Sequence, residues 1–191
     1  MGVKSHASAV VLIPPTCRWN LIQTIRRVHD RNVRRWMPHV TLLYPFLPFK
    51  HYSNQILDLL SDACKTLDAF DVTFRMFRSF KHEKSAYTLW LEPEPNHRFD
   101  ELQAALQGRF PGYSDVRAHR GGFTPHLSVG QVTGETAHGE ILQKLQDGWS
   151  PLTFRADRIS LIWRLGSPDD VFRVHREIIL GSGHVVEPKE Q

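Results

Sequence analysis

Two histidines in matched surroundings are the residues of this sequence best placed to do chemistry. They stand in Pro38-His39-Val40-Thr41-Leu42-Leu43-Tyr44-Pro45 and in Thr124-Pro125-His126-Leu127-Ser128-Val129-Gly130-Gln131. Each follows a proline and precedes a hydroxyl residue by two positions, with an apolar residue between them. Alternate side chains of a strand share a face, so His39 and Thr41 point one way and Val40 the other, while His126 and Ser128 oppose Leu127. The apolar residue can then anchor the strand to a core as the polar pair faces a cleft. Histidine titrates near pH 6.5, so either ring can take or give a proton at neutral pH. Two imidazoles on opposite sides of one phosphorus suffice for in-line displacement at a phosphodiester. One removes a proton from the incoming oxygen and the other delivers one to the departing oxygen, each contributing about 10²–10⁴-fold. Hydroxyls of Thr41 and Ser128 could donate to the non-bridging oxygens, where charge accumulates. Which ring is base and which acid depends on the direction of the substrate. No metal is required, and no His-Glu-x-x-His, clustered acidic or Cys/His spacing suggests one.

The His-x-Ser/Thr triplet alone is a weak signal, because 11 histidines in 191 residues produce about one such triplet by chance. Two further copies, His6-Ala7-Ser8 and His51-Tyr52-Ser53, have plain readings. The first opens a strand, and in the second Ser53 is placed to cap a helix. Context separates the remaining pair. Both follow a proline inside strand-like runs, and they lie 87 residues apart, close to half the chain, as two related lobes require.

The elements that must position them follow from periodicity. Residues 7–13 form an apolar run closed by Pro14-Pro15 and read as a buried strand, while Leu21, Ile22, Ile25 and Val28 predict a helix over 19–29. A second strand is expected over 39–43, bracketed by Pro38 and Pro45, which deny a ladder its donor. A helix follows from Ser53, with Ile56, Leu60, Ala63 and Leu67 as its stripe. Phe70, Val72, Phe74 and Met76, then Tyr87, Leu89 and Leu91, alternate as two antiparallel strands. The second half repeats the rhythm, with helices around 99–110 and 141–145, a strand over 123–132, and strands over 152–165 and 172–180 joined by a turn at 166–170. Helices interspersed with hairpins indicate an α+β fold with antiparallel sheets. Residues 1–180 are expected to form one bilobal domain and 181–191, polar and rich in Gly and Pro, a flexible tail.

The paired Pro-His-apolar-Thr/Ser segments resemble those of the 2H phosphoesterase superfamily, which includes 2′-5′ RNA ligase-like proteins, cyclic nucleotide phosphodiesterases and the RNA-trimming enzyme of U6 maturation. The resemblance implies a LigT-like fold of two pseudo-symmetric lobes around a central cleft. It also implies catalysis by His39 and His126, phosphate binding by Thr41 and Ser128, and no cofactor. Ser128 departs from the commoner Thr of the second motif. The implied activity is opening of 2′,3′-cyclic phosphates, on RNA ends or nucleotides, to 2′-phosphates. The same site could serve a 2′-5′ oligoadenylate phosphodiesterase, an RNA 3′-end exonuclease or a 2′-5′ RNA ligase, and a non-catalytic nucleotide- or RNA-binding module is the alternative of another class.

Further residues are weighed as substrate contacts. Tyr44 and Gln131 each lie three positions past a motif hydroxyl, with structural roles as the simpler reading. Arg120 and Phe123 could meet a phosphate and a base, unless Phe123 is core. Arg164 could reach the cleft from a late strand, and Trp36 could edge the groove or simply pack. The net charge of +4 and the cluster Arg26, Arg27, Arg31, Arg34 and Arg35 would concentrate an anionic partner such as RNA, or else form a solvated face. An apolar content of 41% suits a globular unit with a real core. No run approaches the ~20 apolar residues of a membrane span, and no secretory signal opens the sequence, so an intracellular protein is expected. Cys17 and Cys64 belong to no metal or redox motif. The expected partner is an RNA end or nucleotide bound by a monomer.

Overall fold

The chain builds one four-element unit twice. In the computed structural model, which describes residues 3–113, 115–117, 122–167 and 170–188, β1 (Ser8–Leu12) leads through α1 (Trp19–His29) to β2 (Val40–Leu43) and α2 (Asn54–Cys64). A long hairpin of β3 (Phe70–Lys81) and β4 (Ala86–Glu94) follows, and β4 starts the second unit, with α3 (Asn96–Arg109), β5 (Leu127–Thr133) and α4 (Glu135–Asp147). The chain ends in β6 (Leu152–Ala156), β7 (Arg158–Trp163), β8 (Arg173–Ile179) and the short β9 (Val185–Val186). Two sheets result, ordered β2-β1-β7-β8-β9 and β5-β4-β3-β6, with every pairing antiparallel.

Each motif strand is thus the edge of its sheet, and the two edges lie against one another. The helices cross over between units, since α1 packs on β5 and α3 on β2. An exposed edge is a row of unpaired backbone groups, and this exchange covers both edges with a helix from the other unit. A single core joins the halves, with Val10, Leu12 and Leu42 in the same cluster as Phe74, Leu91 and Leu127. On the opposite, motif-bearing face of the first sheet lies a smaller cluster of Ala9, Val11, Ile162 and Phe172, with Trp36 and Tyr44 against it.

Several expectations shift. The helix over 19–29 is present, but it buries Ile22 and Arg26 and leaves Leu21 and Val28 exposed. The run over 152–165 is two strands in different sheets, parted at Asp157. The change is visible in burial. Along β6 it alternates through Leu152, Phe154 and Ala156, whereas Ile159, Ser160, Leu161 and Ile162 are all buried, as a central strand requires. Ser53 takes the N-cap position of α2 without a side-chain cap bond. Where a loose tail is expected, β9 pairs with β8, and Ser61 Oγ donates to Gly183 O at 2.7 Å. Among the described residues no helix is long and apolar enough to cross a membrane.

The approach of α1 to β5 depends on Gly130. A Cβ added there would sit 2.5 Å from His29 Cβ and 2.9 Å from the His29 carbonyl oxygen. Backbone cannot yield as a flexible side chain does, so Gly130→Ala is expected to destabilise the fold by about 1–3 kcal/mol. Urea denaturation measures this, and an unchanged midpoint would contradict the packing.

Candidate active site

The same short-range contact orients both rings. His39 Nδ1 lies 2.7 Å from Met37 O, and His126 Nδ1 lies 2.8 Å from Thr124 O. A carbonyl only accepts, so Nδ1 carries the proton in each neutral ring and Nε2 keeps a lone pair. Each accepting carbonyl belongs to the residue before a proline, which is confined to extended backbone, and the ring two positions on meets it. His39 and His126 immediately precede β2 and β5, and Thr41 and Ser128 follow on the same faces. All four are partly buried.

Aromatic rings brace the imidazoles. Trp36 stacks on His39, with centroids 4.7 Å apart, and also on Phe172 at 3.7 Å. In the other unit Phe80 and Trp90 meet His126 edge-on at 5.0 and 5.9 Å and stack on one another. Burial pushes His39 down to about 4, against the pull of the Met37 carbonyl. The charges of Arg26 and His126 lower it further, and that of Asp30 raises it. His39 is therefore neutral at pH 7, a state that can accept a proton at Nε2. His126 thus lies within electrostatic reach of His39, as the contact between β2 and β5 requires.

A buried clasp holds the halves together behind the rings. Arg26 Nε donates to Asp30 Oδ2 at 2.9 Å, with both side chains almost fully buried. Asp30 Oδ1 accepts from Asn32 N at 2.9 Å and from Gln131 Nε2 at 3.2 Å, while Gln131 Oε1 accepts from Arg31 N at 3.1 Å. Both ends of the Gln131 amide are thus engaged in joining the end of α1 to β5, so its position past the motif serves assembly. Arg26 likewise leaves the expected basic surface and becomes part of this interior.

The other candidates divide. Tyr44 reaches the motif-bearing face, edge-on to Trp36 at 5.5 Å, and its hydroxyl donates to His6 O at 3.3 Å. Arg164 comes to the same face, with its guanidinium 5.6 Å from the Phe172 ring centroid. Its neighbour Trp163 instead stacks on Phe49. Phe123 packs against the main core. Arg120 lies outside the described residues. Among the described residues no three His, Cys, Asp or Glu side chains gather as metal ligands. Phe80, Trp90 and the Arg26–Asp30 pair are site residues that the motif reading misses. The alternation of β4 could have singled out Trp90, opposite Ser128 in register.

A family model described as the 2′-5′ RNA ligase superfamily matches residues 14–168. The chain therefore belongs to this superfamily, the 2H phosphoesterases. Among its relatives, a Bacillus pumilus (strain SAFR-032) protein carries the name "Putative phosphoesterase". It is 24% identical over 176 residues, covering 90% of this chain and 96% of its own length. Of solved structures, TT0787 of Thermus thermophilus superposes with a TM-score of 0.61 at 19% identity, covering 93% of this chain and 99% of that one. E. coli LigT complexed with 3′-AMP gives 0.57 at 14% identity, with the same coverage. The two structural likenesses establish the LigT-like α+β fold.

The lowered titration of His39 has a consequence for stability. An unfolded histidine takes up a proton as pH falls through about 6.5, while folded His39 stays neutral down to about 4. The unfolded state therefore binds more protons in that window, so this contribution is fully present above pH 6.5 and is lost as pH falls towards 4. Denaturation at pH 7 and pH 4.5 should show a smaller acid loss for His39→Asn than for the unsubstituted protein. Equal losses would contradict the burial argument.

Proposed function

We propose that this chain is a metal-independent phosphodiesterase that opens 2′,3′-cyclic phosphates, on RNA ends or nucleotides, to 2′-phosphates. The observation that carries this reading is the pair of imidazoles held alike, each with Nδ1 against the carbonyl two residues upstream, delivered by two edge strands that meet. His39, neutral at pH 7, is the base in this reading and takes a proton from the attacking water. The water oxygen bonds to phosphorus, the bond to the 3′ oxygen breaks, and His126, entering the step as the imidazolium, gives that oxygen its Nε2 proton. Thr41 and Ser128 form no hydrogen bond through their hydroxyls to other described residues, which leaves both groups to the non-bridging oxygens. One polypeptide supplies both motifs, so a single copy is sufficient.

The superfamily membership supports phosphoester chemistry, and nucleotides bind a structural neighbour, as LigT complexes with 3′-AMP and ATP record. In EDTA, the protein is expected to convert a nucleoside 2′,3′-cyclic phosphate to the 2′-phosphate. His39→Ala and His126→Ala should each lower kcat by about 10²–10⁴-fold, with melting temperatures monitored alongside. Activity that needs added metal, or that survives both substitutions, would overturn the assignment.

A further inference from the structure

We propose that Arg164 forms a subsite for a second phosphate of the substrate, beyond the one the imidazoles serve, so that this site favours substrates carrying phosphate on both sides of the terminal sugar. The inference rests on the phosphodiesterase reading above and specifies its substrate class.

The first sheet presents one face to the site. Val11 is opposite both Thr41 and Ser160, and Ala9 is opposite Ile162, so these side chains share the face that carries the first motif. The ladder continues past β7, since Arg164 N donates to Ala7 O at 2.9 Å. Arg164 stays on this side, over the ring of Phe172, which belongs to the Ala9, Val11 and Ile162 cluster.

The guanidinium there is anchored but not neutralised. Its Nη1 donates to Ser167 O at 2.9 Å, and Nε is buried without a hydrogen-bond partner. Among the described residues no carboxylate forms an ion pair with it. Arg26 and Arg78 differ, with Arg26 paired to Asp30 at 2.9 Å and Arg78 to Glu92 at 2.9 Å. An arginine held by a carbonyl and an aromatic face, with no carboxylate partner among the described residues and an unsatisfied Nε, is suited to bind a phosphate. A ligand oxygen drawn to Nε would make the hydrogen bond that the fold leaves unmade.

The position assigns which phosphate this is. Trp36 stacks on both His39 and Phe172, and Arg164 lies over Phe172. Two aromatic rings therefore stand between the guanidinium and the imidazole. A general acid or base must come within about 3.2 Å of the oxygen it serves, so the anion at Arg164 is a different one from the phosphate under attack. Tyr44 marks the same rim, because both Arg164 and Arg35 act on its phenol, opposing the rise that burial imposes.

Two probes that differ by one group test this: uridine 2′,3′-cyclic phosphate with a free 5′ hydroxyl, and the same nucleotide with a 5′ phosphate. The intact protein should prefer the phosphorylated probe by roughly ten- to a hundredfold in kcat/KM, expressed in KM. The preference should shrink with added salt. Arg164→Gln should bring the ratio towards one, and Arg164→Lys should retain part of it. A ratio near one in the intact protein, or a ratio unchanged in Arg164→Gln, would overturn the subsite. Should neither probe be turned over, the phosphodiesterase reading fails separately. Calorimetry with uridine 3′-phosphate and uridine 3′,5′-bisphosphate then decides the subsite, which is overturned if the second phosphate adds no Arg164-dependent affinity.

Discussion

A hydrogen bond made twice, from an imidazole Nδ1 to the carbonyl two residues upstream, sets the terms for the site. It selects the tautomer, fixes the plane of each ring and directs the remaining lone pair away from the backbone. The Pro-His dipeptide makes the contact local, so it forms wherever the segment enters a strand. Two copies of such a segment become one site only if their strands meet, and both motif strands are sheet edges that face each other. The aromatic braces differ between the halves. Trp36 lies flat on His39, whereas Phe80 and Trp90 make T-shaped contacts with His126.

What keeps the edges in register is the exchange of helices. Burying Arg26 and Asp30 is costly, and such a pair holds only when its remaining hydrogen bonds are made. Here Gln23, Asn32 and Gln131 make them, with Gln131 arriving from the other half. The pair lies within electrostatic reach of His39, with Arg26 lowering and Asp30 raising its titration. The same residues thus join the lobes and bear on the titration of His39. Gly130 contributes by having no side chain, since it lets α1 approach β5 at backbone distance.

Most of this architecture was legible from periodicity, and the motif pair from its repeated context. The limits of α1 and the pairing of β3 with β4 follow directly from apolar spacing. The less legible parts depend on contacts distant in sequence. Arg26 reads as surface because nothing local announces a buried partner, and Leu21 and Val28 read as core because spacing identifies a helix more surely than the face it turns inward. Gln131, read as a possible substrate contact, is engaged by a helix end 100 residues away. The strand over 152–165 breaks because its two parts belong to different sheets, a fact about topology that alternation only hints at. Phe123 packs on the core, and the aromatics beside the second imidazole come from β3 and β4 instead.

The most direct test of the central claim is a crystal structure with a uridine–vanadate complex, which mimics a phosphorus with five oxygen ligands. The account predicts vanadium between the halves, with Nε2 of His39 and Nε2 of His126 each about 2.6–3.2 Å from oxygens on opposite sides of it. Vanadate reached by one imidazole alone, or seated away from both, would contradict it.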